Sequence, residues 1–349
     1  MDDWFVKDYT PTVYNLNENY RSAKAILDYA QKVMRDDSLD VTLPYTGVCK
    51  EYAYETPCEE AKEIVNSVKS LVGTEIEGYD GKLKYSDIAV LARNKFVLGK
   101  IEEQLKGSNL PYHYKTTGAG LEFSSTAAKS FDLAMVVRTN PYDRLHLDML
   151  QSIVGVSHCK SLEQVVENIS DAFLKKVVLQ ASLLKDDGSN MYQTIRTILN
   201  TLKTSNVSDF KSMDEALAIF DEFELLKHHW NSYAKSVTNY SLSAFRNAIS
   251  LGQTAISSSD GEGITLSTVH TMKGQQAVVV FLVGMDEGTF PDYRAVKKGD
   301  KSIEMQQEKN NLYVAITRAQ RHLYISYPKK RLMPWGDWTV RKRSCLLPK

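Results

Sequence analysis

Arg318 lies in the segment EKNNLYVAITRAQRHLYIS, where an apolar helical pattern gives way to a strand-like one. An arginine at a helix C-terminus can project into a cleft between domains. There it can offset the charge that builds on a transferring γ-phosphoryl group. Taken alone, Arg318 reads as an ordinary surface arginine. Upstream, STVHTMKGQQAVVVFLVGMDEGTFP runs strand, polar loop, strand, and the loop carries Thr268, His270, Lys273 and Gly274. Short polar side chains and loop amides can grip a phosphate backbone closely where glycine permits the approach. Near the start, LNENYRSAKAIL contains Asn-Tyr-Arg-Ser, which by itself is compatible with a helix N-terminus capped by Asn19 or Ser22.

Stepping outward, the patterning predicts the elements that hold these residues. Apolar positions at Ala25, Ile26, Tyr29, Ala30 and Val33 make Arg21–Met34 a helix, and Ile64, Val65, Val68, Leu71 and Val72 do the same for Ala61–Val72. Asp87-Ile-Ala-Val-Leu-Ala has the continuous apolar character of a buried parallel strand, followed by a helix with Leu98, Ile101 and Leu105 inward. Strands alternating with helices imply βαβ units. From Leu145 to Ser259 strand signals cease, and Ser161–Leu184, Met191–Lys203 and Met213–Tyr233 read as helices. Ser257-Ser-Ser-Asp-Gly-Glu-Gly reads as a linker. Alternation then resumes with the strands ITLSTV, AVVVFLVG and HLYIS and a helix at Gln307–Gln320. The expectation is an α/β domain with a parallel sheet, interrupted by an α-helical insertion: 1–144, 145–259 and 260–349.

The 349 residues are enough for two domains and a sizeable core. A hydrophobic fraction of 43% with 25% charged residues excludes collagen-like, disordered and membrane classes. The N-terminal MDDWFVKDYT lacks the basic and apolar regions of a signal peptide, so a cytoplasmic location without membrane attachment is expected. Cys49, Cys58, Cys159 and Cys345 show neither C-x-x-C spacing nor a partnering histidine cluster, so free thiols and no metal site are expected. Net charge is zero, which argues against wholesale electrostatic attachment to nucleic acid, yet basic residues outnumber acidic ones after Arg294.

The three chemistry-bearing segments, in this order, resemble motifs IV, V and VI of UvrD/Rep-type superfamily 1 DNA helicases, and the resemblance extends over nearly the whole chain. DIAVLARNK, RTNPYD and SLSAFRNAISL resemble further landmarks of that family. The resemblance implies a RecA-like, P-loop NTPase-type second motor domain. It implies that Tyr20 stacks on adenine, that Arg21 and Arg318 reach the γ-phosphate, and that Gly274 and Gln276 lie at the nucleotide. It places Thr268, His270, Lys95, Lys129 and Trp335 along single-stranded DNA. Lys95 occupies a position where relatives hold a DNA-contacting asparagine, and Lys129 one where they hold a lysine. Trp335 precedes Gly336 as a base-stacking phenylalanine precedes glycine in relatives, at a spacing one residue longer. The implied cofactors are ATP and Mg²⁺ in a complete enzyme, with neither held tightly by this chain alone. The implied partners are single-stranded DNA, or a single-strand/duplex junction, and an N-terminal P-loop domain of the same protein.

The sequence also departs from that family. It contains no G-x-x-x-x-G-K-[ST] loop and no convincing Walker B strand, since Asp221-Glu-Phe-Glu lies in a helical pattern and Asp286-Glu-Gly lies in the motif V region. The expectation is therefore the C-terminal half of an ATP-dependent, 3′→5′ helicase or translocase, inactive as an ATPase by itself. Gln276 stands where relatives use a glutamate, keeping an acceptor but no charge. SIVGVSHCKSLEQVV replaces a Gly-Ile-Gly hairpin associated with duplex contact. The second reading is a non-catalytic DNA- or protein-binding module derived from the same fold. Neutral charge and Gln276 favour it, and the intact Arg21 and Arg318 oppose it.

Overall fold

The structure, a computed structural model, describes residues 18–34, 40–115, 121, 123, 125–204, 210, 213–238, 240–250, 262–272, 274–333 and 335–348. The first part of the chain contains β1 (Glu18–Asn19), α1 (Lys24–Met34), β2 (Asp40–Val41), β3 (Val48–Tyr54) and α2 (Pro57–Leu71). It continues through β4 (Ile88–Ala92), α3 (Lys95–Gly107) and β5 (Tyr112–Tyr114). Between β5 and β6 the named elements are helices: α4 (Thr126–Thr139), α5 (Arg144–Val154), α6 (Leu162–Asn168), α7 (Ala172–Ser182), α8 (Met191–Thr204), α9 (Met213–Ser236) and α10 (Leu242–Ser250). The chain returns through β6 (Ile264–Thr268), β7 (Ala277–Leu282), α11 (Tyr293–Lys298), α12 (Ile303–Ile316), β8 (Ala319–Pro328), β9 (Lys330–Leu332) and β10 (Trp338–Val340).

Six strands form one sheet in the order β3-β8-β7-β4-β6-β5, and every pairing in it is parallel. All residues of β4 (IAVLA) and β7 (AVVVFL) are buried, as their unbroken apolar runs require of strands covered on both faces. Alternation sorts β4 between two cores. Ala89 and Leu91 join Ile26 and Ala30 of α1 and Leu312, Ala315 and Ile316 of α12. Ile88, Val90 and Ala92 join α2 and α3 on the other face. A third cluster takes residues from all of α4 to α10. α4, which precedes the expected boundary at 145, packs with those helices.

Several element ends differ from the sequence reading for local reasons. The first long helix begins at Lys24, not Arg21, because Asn19 Oδ1 accepts from the Arg21 and Ser22 amides at 2.9 and 3.0 Å. This Asx-type turn leaves Arg21 ahead of the helix. Ser161–Leu184 is two helices: Asp171 Oδ1 accepts from Leu174 N at 2.8 Å and starts the second afresh. The helix read at Gln307–Gln320 runs from Ile303 to Ile316, with Ser302 accepting from Met305 N at 3.1 Å. Residues 257–261 of the expected linker, and Lys273, lie outside the described residues. Among the described residues no helix is long and apolar enough to cross a membrane.

Candidate functional site

At the N-terminal ends of β7 and β8, Arg318 emerges one residue after Thr317, the C-cap of α12. Its carbonyl accepts from Ala277 N at 3.0 Å, which ties the first residues of β8 to those of β7. The side chain is half-buried and braced along its length. Nε donates to Val314 O at 3.0 Å and Nη1 to Gln275 O at 3.0 Å. Burial, and then the positive charge of nearby Arg21, hold this guanidinium below its ordinary pKa. Two like charges held close favour an anion between or beside them.

Arg21 is fixed through its backbone. Ser22 Oγ donates to Ala319 O at 2.7 Å and Ala23 N donates to Gln320 O at 2.8 Å. Arg321 Nη1 donates to Arg21 O at 3.2 Å, while Arg321 lies over the Tyr45 ring at 4.6 Å and donates to Gly78 O at 2.8 Å. The Arg21 side chain itself is exposed. Beside it Tyr20 is 66% exposed, and its hydroxyl donates to the Glu18 carboxylate, which raises the phenol pKa. Gly274 has φ +87°, a left-handed conformation that suits glycine, and a Cβ built there would meet nothing within 4 Å. Gln276 is exposed. Because Gln275 bonds Arg318, this glycine-containing turn is fastened to the arginine, so Tyr20, Arg21, Gly274, Gln276 and Arg318 belong to one end of the sheet.

The opposite end, at the C-termini of β4 and β6, opens into a cavity of about 440 Å³. Lys95, Lys129, Thr268 and His270 all line it. Asn94 caps α3 by accepting from Val97 N at 3.1 Å, which sets Lys95 in the first helical turn. Arg93 grips Glu308 of α12 with Nε at 3.0 Å and Nη2 at 2.8 Å, and Asp292 N reaches the same carboxylate at 3.3 Å. Val269 N donates to Ala92 O at 3.0 Å, and Thr268 and Thr271 share a hydroxyl hydrogen bond. Residues 269–276 then carry the chain from this cavity to the arginine pair, linking the two ends of the sheet through one covalent segment.

Trp335 stands apart from these four residues. It is half-buried and packs against the cluster formed by α4 to α10. The basic residues that precede it are engaged: Lys329 bonds Glu55 at 2.8 Å, Lys330 lies over the Trp338 ring at 5.5 Å, and Arg331 bonds Asp286 at 3.0 Å. Asp286 is fully buried and also takes Arg341 at 2.9 Å and the Thr289 hydroxyl at 2.9 Å, a structural cluster that anchors β9 and the chain after β10.

The cavity contains residues that motif spacing did not single out, among them Asp221, Glu222, Tyr293, Arg294 and Arg331. Asp221 could have been found: with Leu217 and Leu225 it forms an i, i+4, i+8 line on α9, and all three line the cavity. Burial pushes its carboxyl well above the usual range, although Arg331 opposes that shift. Among the described residues no group of three His, Cys, Asp or Glu side chains is arranged to hold a metal ion.

A family model for the UvrD-like helicase C-terminal domain matches residues 14–124 and 131–330. Similar proteins include the ATP-dependent DNA helicase PcrA of Staphylococcus aureus (strain Mu50 / ATCC 700699), 27% identical over 372 residues, 94% of this chain and 48% of that protein. PcrA of Staphylococcus aureus (strain MRSA252) is 28% identical over 373 residues, again 94% of this chain and 48% of its own length. PcrA of Staphylococcus epidermidis (strain ATCC 12228 / FDA PCI 1200) is 27% identical over 372 residues with the same coverage. The chain thus spans about half the length of these curated relatives.

Proposed function

This chain belongs to the UvrD-like helicase C-terminal domain family, and we propose that it supplies one half of the ATP-hydrolysing cleft of a DNA helicase or translocase. The observation that carries this reading is the pairing of Arg318 with Arg21 at one end of the sheet. These two cations lie close enough for the charge of Arg21 to lower the Arg318 pKa, and neither is paired with a carboxylate among the described residues. Such a pair suits a polyphosphate: Arg318, braced by Val314 and Gln275, would face the transferring phosphoryl group, and exposed Arg21 would hold its oxygens. Tyr20 offers an exposed ring for the adenine, and Gly274 lets the turn at Gln276 approach the ribose. ATP would supply the free energy of phosphoanhydride cleavage. The P-loop and the Mg²⁺ ligands would come from the other half of the cleft.

At the opposite end, Lys95 and Lys129 would neutralise phosphates of a single strand, while Thr268 and His270 donate or accept at close range. The segment 269–276 would convey changes at the nucleotide to this groove, with movement along the strand in the 3′→5′ direction. The helices between β5 and β6 would form an inserted domain over it. Steady-state ATP hydrolysis, measured for this chain alone and then together with a P-loop-bearing half, tests the reading. Turnover stimulated by single-stranded DNA is expected only for the combination. Turnover by the chain alone that is lost in Arg318→Ala would refute the division of labour.

A further inference from the structure

Tyr20 and Arg21 lie in the short stretch between β1 and α1, and this stretch is held from the start of β8. Both backbone groups of Arg21 are taken: its amide donates to Asn19 Oδ1 at 2.9 Å, and its carbonyl accepts from Arg321 Nη1 at 3.2 Å. Ser22 Oγ and Ala23 N then donate to Ala319 O and Gln320 O, and Lys24 N donates to Tyr45 O at 3.0 Å. The Arg21 side chain is exposed, whereas that of Arg318 is braced by Val314 and Gln275. Where the Arg21 guanidinium can reach is therefore set by where its backbone is held.

Arg321 draws separate segments of the chain onto that backbone. Its Nε and Nη2 both donate to Gly78 O, at 3.1 and 2.8 Å, in the stretch between α2 and β4. Its Nη1 reaches Arg21 O and also Gln320 O, the latter at 3.1 Å. The guanidinium lies over the ring of Tyr45, in the stretch between β2 and β3, at 4.6 Å. Gly78 suits this arrangement: its φ is +71°, and a Cβ there would come within 2.6 Å of the Tyr45 ring. A planar arginine fork can hold carbonyls on two of its edges while stacking on an aromatic face. A lysine ammonium cannot do all of this at once. The bonds of Arg321 run to carbonyl oxygens and a ring, so its fork is committed to the backbone.

On the reading of Arg21 and Arg318 as the phosphate-facing pair, we propose that Arg321 is a positioning residue for ATP hydrolysis. It holds the Arg21 backbone so that the Arg21 guanidinium meets the transferring phosphoryl group. Arg321 acts through Arg21 and not by touching the nucleotide. Tyr20 depends on it less, because the adjoining Asn19 belongs to β1 and pairs with Val41 of β2. Loosening Arg321 therefore slows the chemical step more than it weakens nucleotide binding.

The test is steady-state ATP hydrolysis, stimulated by single-stranded DNA, in the protein carrying both halves of the cleft. Arg321→Ala is expected to lower kcat by roughly 10- to 100-fold, the scale of a small misplacement of a catalytic group, with KM for ATP within about twofold of wild type. Arg321→Lys keeps the charge and loses the fork, so most of the loss in kcat should remain. The lysine variant carries the kcat test if the alanine variant fails to fold. Added to Arg21→Ala, Arg321→Ala should cost nothing further, because the residue through which it acts is already gone. Three results would overturn the positioning role alone, provided that Arg21→Ala is inactive: wild-type kcat in Arg321→Ala, full recovery in Arg321→Lys, or a loss that multiplies with that of Arg21→Ala. If Arg21→Ala turns over as fast as wild type, the reading of the arginine pair falls as well.

Discussion

Protonation of His229 should destabilise the fold, and the size of the effect can be worked from its surroundings. His229 lies on the buried side of α9, where burial, then the positive charges of Lys95 and His228, lower its pKa from 6.5 to about 4. A histidine with a depressed folded-state pKa is neutral in the native protein, while the unfolded chain binds a proton below pH 6.5. Stability is thus fully present above pH 6.5 and is lost as pH falls from there towards 4. The interval corresponds to about 3 kcal/mol at 1.36 kcal/mol per unit. The assay is urea unfolding of wild type and His229→Gln across this window, with the difference between the two curves isolating His229 from Asp132, Asp221 and Glu60, whose raised pKa values act in the opposite direction. Wild type should lose roughly 3 kcal/mol relative to the variant between neutral pH and about pH 4. Parallel curves would refute the reasoning. Because Lys95 contributes to the depression, single-stranded DNA neutralising Lys95 should raise the His229 pKa and be accompanied by proton uptake.

Glu308→Ala should destabilise the chain by about 3–5 kcal/mol in denaturant unfolding, because it leaves the Arg93 guanidinium and the Asp292 amide without their shared acceptor; a loss below about 0.5 kcal/mol would show the pair to be dispensable. Trp335→Ala should lower the melting temperature while leaving oligonucleotide affinity unchanged, as its packing against the α4–α10 cluster implies; lost affinity at unchanged stability would instead put the indole in the DNA track. Gln276→Glu should leave or improve ATP affinity in the protein carrying both halves of the cleft, and a large loss would mean that the Gly274 turn meets the nucleotide differently.

The central strands were legible because burial on both faces leaves little room for polar residues: IAVLA and AVVVFL could be read directly. The place of Arg318 was legible from the change of pattern there, where an apolar helical period gives way to a strand. Helix ends were less so. Asn19 and Asp171 act through one side-chain hydrogen bond each, and such bonds begin or delay a helix without altering the apolar periodicity around them. Four of the five expected DNA residues share one cavity, since each sits at or near an element boundary that the motifs marked. The pairing of Arg331 with Asp286 spans 45 positions, and no local pattern in the sequence encodes it. Asp221 was visible as an acid in a helix; its place on the cavity depends on the packing of α9.

The most direct measurement is DNA-stimulated ATP turnover of Arg318→Ala in the protein carrying both halves of the cleft. The account predicts a fall of roughly 10³-fold or more in kcat, with single-strand affinity retained. Arg21→Ala is expected to follow it, because the two guanidiniums occupy one site. Turnover within about threefold of wild type at matched salt would contradict the account, since an arginine that touches the transferring phosphoryl group cannot be removed at so small a cost.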